Sequence, residues 1–406
     1  QKPKFSLPSL PKIKNNRTNL GNRSVKILDS TLREGEQCPG VSFTVKQRLQ
    51  IAWMLDYFGV DAMEISPIVS PGHEETCKEM LNAGFTSTIL AHVRALPSDI
   101  DVALRCDADW IAIYHSVSDV HLRYKLNITR EKTKERVIKA VEYAKDHGLK
   151  LRFTAEDASR ADPRFVREIC KAVSAAGADR ISIPDTLGIM RPQGMYRLVK
   201  TVHEVVDTPL DVHCHNDLGL ALANSLTGLE AGAEQIHTTI NGVGERVGLV
   251  SLAEAAVTLK ILYGARLNVK LDMLQEISQL LENYTSVKTS PSQPLVGDNA
   301  YRHKAGTHVA AIISSSSAYE IAPPNIVGNK RRIVFGGHSG KNGAAYLLKL
   351  FGMNPTEELA RRFADGLKGL KRGDLFELDL TRENEDEMLR ADQQLSEARG
   401  KRKDRR

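Results

Sequence analysis

The chain has 406 residues, of which 41% are hydrophobic and 26% are charged, and its formal net charge is +6. This length is sufficient for a large core and for more than one domain, and the composition is ordinary for a soluble enzyme. No stretch approaches the ~20 continuous apolar residues of a membrane helix, so we expect no membrane association.

The positive charge lies at the two ends of the chain. Residues 1–24 carry six Lys or Arg and no acidic residue, and residues 401–406 carry five against one Asp, so residues 25–400 sum to about −4. This distribution argues against a nucleic-acid partner, and we interpret residues 1–24 as a flexible basic segment without the apolar core of a secretory signal. Five scattered cysteines without a CxxC pair are typical of a reducing, cytoplasmic setting.

Eight short β-rich runs alternate with longer amphipathic runs between residues 25 and 265. The helical run after Thr44 has an N-cap candidate and a stop at Gly59. Eight such units predict a (β/α)8 TIM barrel; an open doubly wound sheet is the alternative, but it does not explain polar residues at nearly every strand end. The predicted strands are 25–29, 61–65, 87–93, 110–115, 151–156, 180–184, 210–215 and 235–240.

The pattern changes after residue 265. We predict that residues 266–370 form appended, mostly helical linker and lid subdomains, with a loop-rich stretch over 288–332. Residues 371–406 are highly charged, and we expect a partly disordered tail there.

The stretch "DVHCHND" is the sharpest local signal for chemistry. His213 and His215 are two residues apart on a predicted strand, so both side chains point to one side, together with Asp211. Two imidazoles and a carboxylate suit a divalent cation with open coordination positions. Two ordinary polar histidines at a strand end are the alternative, and the barrel position favours metal.

The first strand ends in "DSTLREGEQ". Its position in a barrel lets one of its carboxylates complete the metal site, and Asp29, Glu34 and Glu36 are all candidates on residue type. Arg33 is then available to polarise an oxygen or to bind a carboxylate. A structural Arg–Glu pair is the alternative.

Further polar residues lie along the other strands. Arg152, Thr154 and Glu156 alternate on one predicted strand, where Arg and Thr suit a carboxylate ligand and Glu suits acid–base work. Other candidates are His92 at strand three, Asp109 before strand four and Thr186 after strand six. Each of these is ordinary alone, and their coincidence at one barrel mouth carries the inference.

These motifs together resemble the metal-dependent α-isopropylmalate/homocitrate synthase family. The resemblance rests on "DSTLREGEQ", "HCHNDLGLALANSLTGLEAGA", "NGVGERVG" and "HKAGTH", and it covers roughly residues 25–350. It implies a barrel with C-terminal subdomains in a domain-exchanged homodimer, and condensation of acetyl-CoA with a 2-oxo acid. It also implies Glu34, His213 and His215 as metal ligands, with Mg²⁺ or Mn²⁺ favoured and Zn²⁺ possible.

Within this family, two positions match the homocitrate-forming pattern. Glu34 stands where leucine-pathway members have Asp, and Leu249 stands where they have an Asn ligand. The resemblance therefore implies 2-oxoglutarate as acceptor and homocitrate as product, in lysine biosynthesis through α-aminoadipate. It assigns the keto oxygen to Arg33 and the substrate carboxylates to Arg152, Thr154 and Thr186, with further contacts from Gln37, Glu64, His92 and Asp109.

The C-terminal stretch matches the segment that a partner subunit lays over the active site in this family. The resemblance implies that His308 and Tyr319 act with Glu156 as the acid–base group. Lysine is a plausible feedback inhibitor, with Glu64, Asp109, Glu156 and Asp211 as candidate ammonium acceptors. Isopropylmalate or citramalate synthesis is the main alternative; a related lyase or an inert binding protein ranks lower.

Overall fold

The structure, a computed structural model, describes residues 20–369 and 374–380. Of these, the residues up to Thr289 form one compact unit and those from Ser290 onward form a second. The predicted flexible segment and charged tail therefore fall largely outside the described residues. Within the part of the chain that the structure describes, no helix is long and apolar enough to cross a membrane.

The first unit contains a closed barrel of eight parallel strands, which confirms the predicted (β/α)8 fold. Each predicted strand is present, with ends that move by one or two residues. The strands are β1 (Lys26–Asp29), β2 (Ala62–Ile65), β3 (Thr88–Arg94), β4 (Trp110–Ser116), β5 (Lys150–Glu156), β6 (Arg180–Asp185), β7 (Leu210–Cys214) and β8 (Gln235–Thr238).

Ten α-helices belong to this unit in the described residues. They are α1 (Val45–Phe58), α2 (Pro71–Asn82), α3 (Pro97–Arg105), α4 (Asp119–His121), α5 (Arg130–Asp146), α6 (Pro163–Ala175), α7 (Pro192–His203), α8 (Ala221–Glu230), α9 (Leu252–Val257) and α10 (Leu274–Tyr284). Two π-helical turns, Leu122–Leu126 and Thr258–Leu262, interrupt the regular pattern.

Helix α1 shows how the sequence signals act. Thr44 Oγ1 accepts from the backbone N–H of Gln47, and the Gln47 side chain accepts from the Thr44 N–H, which completes a capping box. Gly59 ends the helix with φ at 104°, and a Cβ there would lie 2.1 Å from the carbonyl oxygen of Asn268. Only glycine fits this helix end.

The boundary between the units lies later than the predicted residue 265. Helix α10 belongs to the barrel unit, where it packs on α1, and Tyr284 Oη donates to Gln50 Oε1 at 2.6 Å. The start of the chain also differs from the prediction, because Leu20 is buried and Ser24 bridges Arg266. Residues 20–24 are therefore part of the packed structure.

The second unit contains three helices, in line with the prediction of a mostly helical segment, and also a three-stranded sheet that was not predicted. Strand β10 (Arg331–Gly336) pairs in parallel with β9 (Arg302–His303) and antiparallel with β11 (Asp374–Leu380). Strand β11 lies inside the predicted tail. Helices α11 (Gly306–Ser314), α12 (Lys341–Leu350) and α13 (Glu357–Gly369) accompany the sheet, and Val309, Ile333, Phe335 and Leu347 form their core.

Candidate active site

The carboxyl ends of the barrel strands surround a cavity of about 760 Å³. Active sites of (β/α)8 barrels occupy this end, because all eight strands converge there. Most of the residues predicted for the site on the barrel line this cavity: Arg33, Glu34, Gln37, His92, Arg152, Thr154, Glu156, Thr186, His213 and His215.

Glu34, His213 and His215 form a compact cluster of buried ligand atoms within 4.8 Å of one another. The two histidine Nε2 atoms are 3.3 Å apart, and His215 Nε2 lies 3.7 Å from Glu34 Oε1. Nitrogens that each lie about 2.1 Å from one divalent ion have separations of this size. Of the three carboxylates that the sequence left open, this cluster contains Glu34.

The surroundings favour the neutral, metal-binding form of both imidazoles. Burial lowers the pKa of His213 and of His215. His213 Nδ1 lies 3.2 Å from His237 Nδ1, and His237 Nε2 lies 3.3 Å from Asp211 Oδ2. His237 Nε2 lies 3.3 Å from Arg152 Nη1 as well, so the tautomer of His237 decides which of the two neighbours it binds. In the tautomer that donates Nε2–H to Asp211, His237 Nδ1 accepts from His213, and the Nε2 lone pair of His213 is left for a metal. A carboxylate behind a ligand histidine is the usual way to fix this tautomer.

The glycine-rich loop after β8 supports Glu34. Glu34 Oε1 accepts from the backbone N–H of Glu245 at 3.2 Å, and a Cβ on Gly244 would lie 3.1 Å from Glu34 Cγ. The loop therefore closely approaches the cluster of Glu34, His213 and His215. The other two carboxylates of the opening motif are engaged elsewhere: Glu36 pairs with Arg48, and Asp29 accepts from the N–H of Thr31.

Glu64 lies beneath the cavity and joins two arginines. Its Oε1 accepts from Arg33 Nη2 at 2.6 Å, and its Oε2 accepts from Arg152 Nη2 at 2.7 Å. Burial alone would raise the pKa of Glu64, but the charges of Arg33 and Arg152 outweigh it and hold the pKa well below its usual range. Arg33 Nη1 also donates to Glu34, so the arginine contacts one of the three clustered side chains directly.

Arg152 is fully buried on β5 and still lines the cavity. Its Nε, together with Oγ1 of Thr154, has no hydrogen-bond partner among the described residues. His92 lies nearby on β3, where its ring stacks on Tyr114 at 4.7 Å, and burial with the charge of Arg33 lowers the pKa of His92. This side of the cavity thus offers unused donors for an anionic ligand.

Glu156 ends β5 at the cavity wall. Lys125 Nζ donates to both of its oxygens, at 2.7 and 2.9 Å, and Ser116 Oγ also donates to it. Lys125 comes from the π-helical turn after α4, and such turns often occur at functional sites. Two further predicted residues line the cavity: Gln37, which is exposed, and Thr186, whose Oγ1 accepts from the N–H of Asp157 at 3.0 Å.

The structure corrects the assignment of Asp109. It is exposed and precedes β4, and its carbonyl accepts from the N–H of Lys150 at the start of β5, so it lies at the opposite end of the strands from the cavity. Glu64 does not line the cavity either, because arginines and Ser30 cover it. Asp211 is also enclosed, by Arg180 and His237. The four carboxylates considered for lysine therefore do not converge.

His308 and Tyr319 belong to the second unit. Both are exposed, and their rings stack with centroids 3.9 Å apart. His308 lies in the first turns of α11, and Tyr319 follows that helix after a short turn.

Several residues of the cavity region were missed by the sequence analysis. His237 stands on β8 in "QIHTTI". Because β8 is the neighbour of the strand that carries "HCH", a histidine on it could have been expected near the same site. Ser182 alternates with Arg180 on β6, which is the same signal that identified Thr154 on β5. Lys125 gave no signal, because only the π-helical turn brings it to the cavity.

Comparison with known proteins identifies relatives along most of the chain. The family model described as HMGL-like matches residues 24–281, and the one described as "Homocitrate synthase post-HMGL domain-like" matches residues 295–373. A probable 2-isopropylmalate synthase of Methanopyrus kandleri is 46% identical over 82% of this chain and 67% of its own length. A homocitrate synthase of the same organism is 42% identical over 85% of this chain and 87% of its length.

Other relatives carry further names. A (R)-citramalate synthase of Methanocaldococcus jannaschii is 43% identical over 85% of this chain and 70% of its own length. Among solved structures, hydroxymethylglutaryl-CoA lyase from Pseudomonas aeruginosa has a TM-score of 0.59 at 21% identity, covering 66% of this chain and 95% of the lyase. At that identity, the likeness to the lyase concerns the fold alone.

Proposed function

Because this chain belongs to the α-isopropylmalate/homocitrate synthase family of condensing acyltransferases, we propose that it joins acetyl-CoA to 2-oxoglutarate and releases homocitrate and CoA. The observation that carries the choice of acceptor is the fully buried Arg152, which lines the cavity with an unused Nε. Glu64 binds only the Nη2 of Arg152 and also pairs with Arg33, so an apolar acceptor such as 2-oxoisovalerate leaves the buried Nε of Arg152 without a partner in the described part of the chain, which is costly.

Formal charges in the cavity also favour a dianionic acceptor. Arg33 and Arg152 face the single buried carboxylate of Glu64, so one positive charge remains. The negative charge of Glu34 offsets one of the two positive charges of a divalent cation bound there, so a second positive charge remains. The two carboxylates of 2-oxoglutarate neutralise both, whereas a monocarboxylic 2-oxo acid neutralises one.

The cavity residues suggest how the acceptor is held. Arg152 and Thr154, helped by His92, bind the distal carboxylate, and Thr186 binds the carboxylate beside the keto group. Arg33 donates to the keto oxygen, and Gln37 orients the substrate from the rim. Glu64 acts beneath them, because it fixes the guanidinium groups of both arginines.

Glu34, His213 and His215 fit a divalent cation, with Mg²⁺ or Mn²⁺ favoured and Zn²⁺ possible. When bound there, such an ion supplies electrophilic polarisation of the acceptor carbonyl. The protein's own part is to bury both imidazoles, which lowers the pKa of each, and to orient that of His213 through His237 and Asp211.

His308, Tyr319 and Glu156 form the acid–base group in this proposal. We propose that the partner subunit's His308 and the partner subunit's Tyr319 complete the site in a domain-exchanged homodimer. The histidine takes a proton from the methyl group of acetyl-CoA, which contributes about 10²–10⁴-fold, and the resulting enolate attacks the keto carbon. The alkoxide formed at the keto oxygen takes up the proton that the acid–base group removed, and water then hydrolyses the thioester and releases CoA.

The alternative is the same chemistry on another acceptor, giving isopropylmalate or citramalate, which relatives of similar identity carry in their names. A thiol-release assay with acetyl-CoA distinguishes them, using 2-oxoglutarate, 2-oxoisovalerate, pyruvate and oxaloacetate, with and without Mg²⁺ or Mn²⁺. The highest kcat/KM with 2-oxoglutarate is expected. Preference for 2-oxoisovalerate or pyruvate would overturn the proposed acceptor and leave the condensation chemistry intact.

A further inference from the structure

Ser182 is a buried hydroxyl with an unusual position in the barrel. It lies in the middle of β6, is 0% exposed, and still lines the cavity. Its Oγ has no hydrogen-bond partner among the described residues. A buried donor without a partner costs roughly 1–3 kcal/mol, so such a group needs an explanation.

The nearest carboxylate does not supply one. Asp211 is the register partner of Ser182 on β7, but its Oδ1 accepts from Arg180 Nε and Nη2 at 2.9 and 2.7 Å, and its Oδ2 lies 3.3 Å from His237 Nε2. Both oxygens of Asp211 therefore have other partners, and neither binds the serine. The hydroxyl remains free for a ligand.

The strand on the other side offers two more unused donors. Thr154 on β5 is the register partner of Ser182, and its Oγ1 also lacks a partner among the described residues, as does Nε of Arg152. All three residues line the same cavity. Three donors on adjacent strands suit one group with several acceptor positions, and a carboxylate offers about four.

We propose that Ser182 binds the distal carboxylate of the acceptor, together with Thr154 and Arg152, and so contributes to the selection of dicarboxylic 2-oxo acids. This inference rests on the proposed function. Arg152 Nη2 donates to Glu64 and Nη1 lies 3.3 Å from His237 Nε2, so Nε is the one guanidinium nitrogen of Arg152 without a partner among the described residues. The hydroxyls of Thr154 and Ser182 supply the missing donors.

The test compares two acceptors of equal chain length. The acceptor 2-oxopentanoate has a methyl group where 2-oxoglutarate has the distal carboxylate. In Ser182→Ala, the KM for 2-oxoglutarate should rise about tenfold with little change in kcat. The affinity for 2-oxopentanoate, measured as KM or as an inhibition constant where this acid is not turned over, should stay unchanged. Ser182→Thr, which keeps the hydroxyl, should retain most of the affinity for 2-oxoglutarate.

Ser225→Ala is the matched control, because Ser225 is equally buried but lies on α8 and does not line the cavity. It should alter neither constant. An unchanged KM for 2-oxoglutarate in Ser182→Ala, or equal effects on both acceptors, would overturn the role of Ser182 while the proposed function stands. A wild-type enzyme that does not turn over 2-oxoglutarate would overturn both.

Discussion

Arg152 Nη2 donates to Glu64 Oε2 at 2.7 Å, in a pair whose side chains are 1% and 0% exposed. Such a pair stabilises the fold little compared with apolar residues of equal size, because burying both charges costs as much as their attraction returns. Since Glu64 also pairs with Arg33, it holds two cationic groups that line the cavity. The pair is better explained by function than by stability.

Replacing Arg152 with Met should separate these roles. We expect kcat/KM for 2-oxoglutarate to fall at least about a hundredfold, because a buried charge pair with the ligand is lost. The value for 2-oxopentanoate should change far less. The midpoint of urea unfolding should fall, because Glu64 keeps only Arg33.

The double variant Arg152→Met with Glu64→Gln serves as the control for folding. The second substitution removes a carboxylate that has lost one of its two arginines, so part of the lost stability should return while activity with 2-oxoglutarate does not. Wild-type kinetics with 2-oxoglutarate in the single variant would contradict the assignment of Arg152 to the substrate.

The metal cluster leads to a prediction about His237. Its Nδ1 lies 3.2 Å from His213 Nδ1, so it fixes the orientation of a proposed ligand without belonging to the cluster. His237→Phe should weaken Mn²⁺ binding by about 10–100-fold, as expected when the support of a ligand histidine is lost. Calorimetric titration of the purified protein with Mn²⁺ measures this without an activity assay.

Two further variants serve as controls, one with a larger expected effect on Mn²⁺ binding and one with no expected effect. His213→Ala should weaken Mn²⁺ binding more than His237→Phe, because it removes a ligand. His115→Phe alters another buried histidine, which does not line the cavity, and should leave the affinity unchanged. Equal affinities in wild type and His237→Phe would show that His237 has no part in metal binding.

Asp29 predicts a specific pH dependence of stability. Burial raises the pKa of this carboxyl to about 7, against an ordinary value of 3.8. Between these values the folded state binds more protons than the unfolded state, so the contribution of Asp29 to stability falls as the pH rises from about 4 to 7 and stays low above 7. Asparagine does not titrate, so this pH dependence of stability should be absent in Asp29→Asn.

Chemical denaturation at several pH values tests this effect. The free energy of unfolding of Asp29→Asn, minus that of wild type, should increase from about pH 5 to about pH 8, since the amide resembles the protonated acid. Taking the difference cancels the opposite trends of Glu64 and Asp211, whose pKa values are lowered. A flat difference across this range would exclude a raised pKa at Asp29.

The barrel was predictable because its signals are local. Short apolar strands, helix caps such as Thr44 and helix ends such as Gly59 define each β/α unit. Eight consecutive units of this kind predict a closed barrel. The same logic brought His213 and His215 to one side of a strand. The sheet of the second unit was missed although "RIVF" in β10 is rich in β-branched and aromatic residues, because its partners β9 and β11 lie about 30 and 40 residues away.

The errors at the site have a common physical cause. Asp109 was assigned because it lies beside a strand, but it precedes the strand, and only residues at the carboxyl end reach the cavity. Glu64 was taken for a contact with the substrate, whereas its partners are Arg33 in the turn after β1 and Arg152 on β5. Such pairings depend on barrel closure and register, which no single segment encodes.

The origin of the acid–base group can be tested by mixing two inactive variants. Glu156 lines the barrel cavity, and His308 lies in the second unit. If each site takes Glu156 from one subunit and His308 from its partner, a heterodimer of Glu156→Gln and His308→Ala contains one intact site and one doubly altered site. After co-expression, random pairing should therefore restore about a quarter of wild-type activity, because half of the dimers carry one good site out of two.

Separate affinity tags on the two subunits sharpen this complementation test. CoA release by the purified heterodimer should approach about half of the wild-type rate, because every molecule then carries one intact site. A dimer with the same two tags, in which both subunits carry His308→Ala, is the control for residual activity and should stay at background. Activity at background in the Glu156→Gln and His308→Ala heterodimer, with a normal dimer in solution, would place both residues of a site in the same subunit.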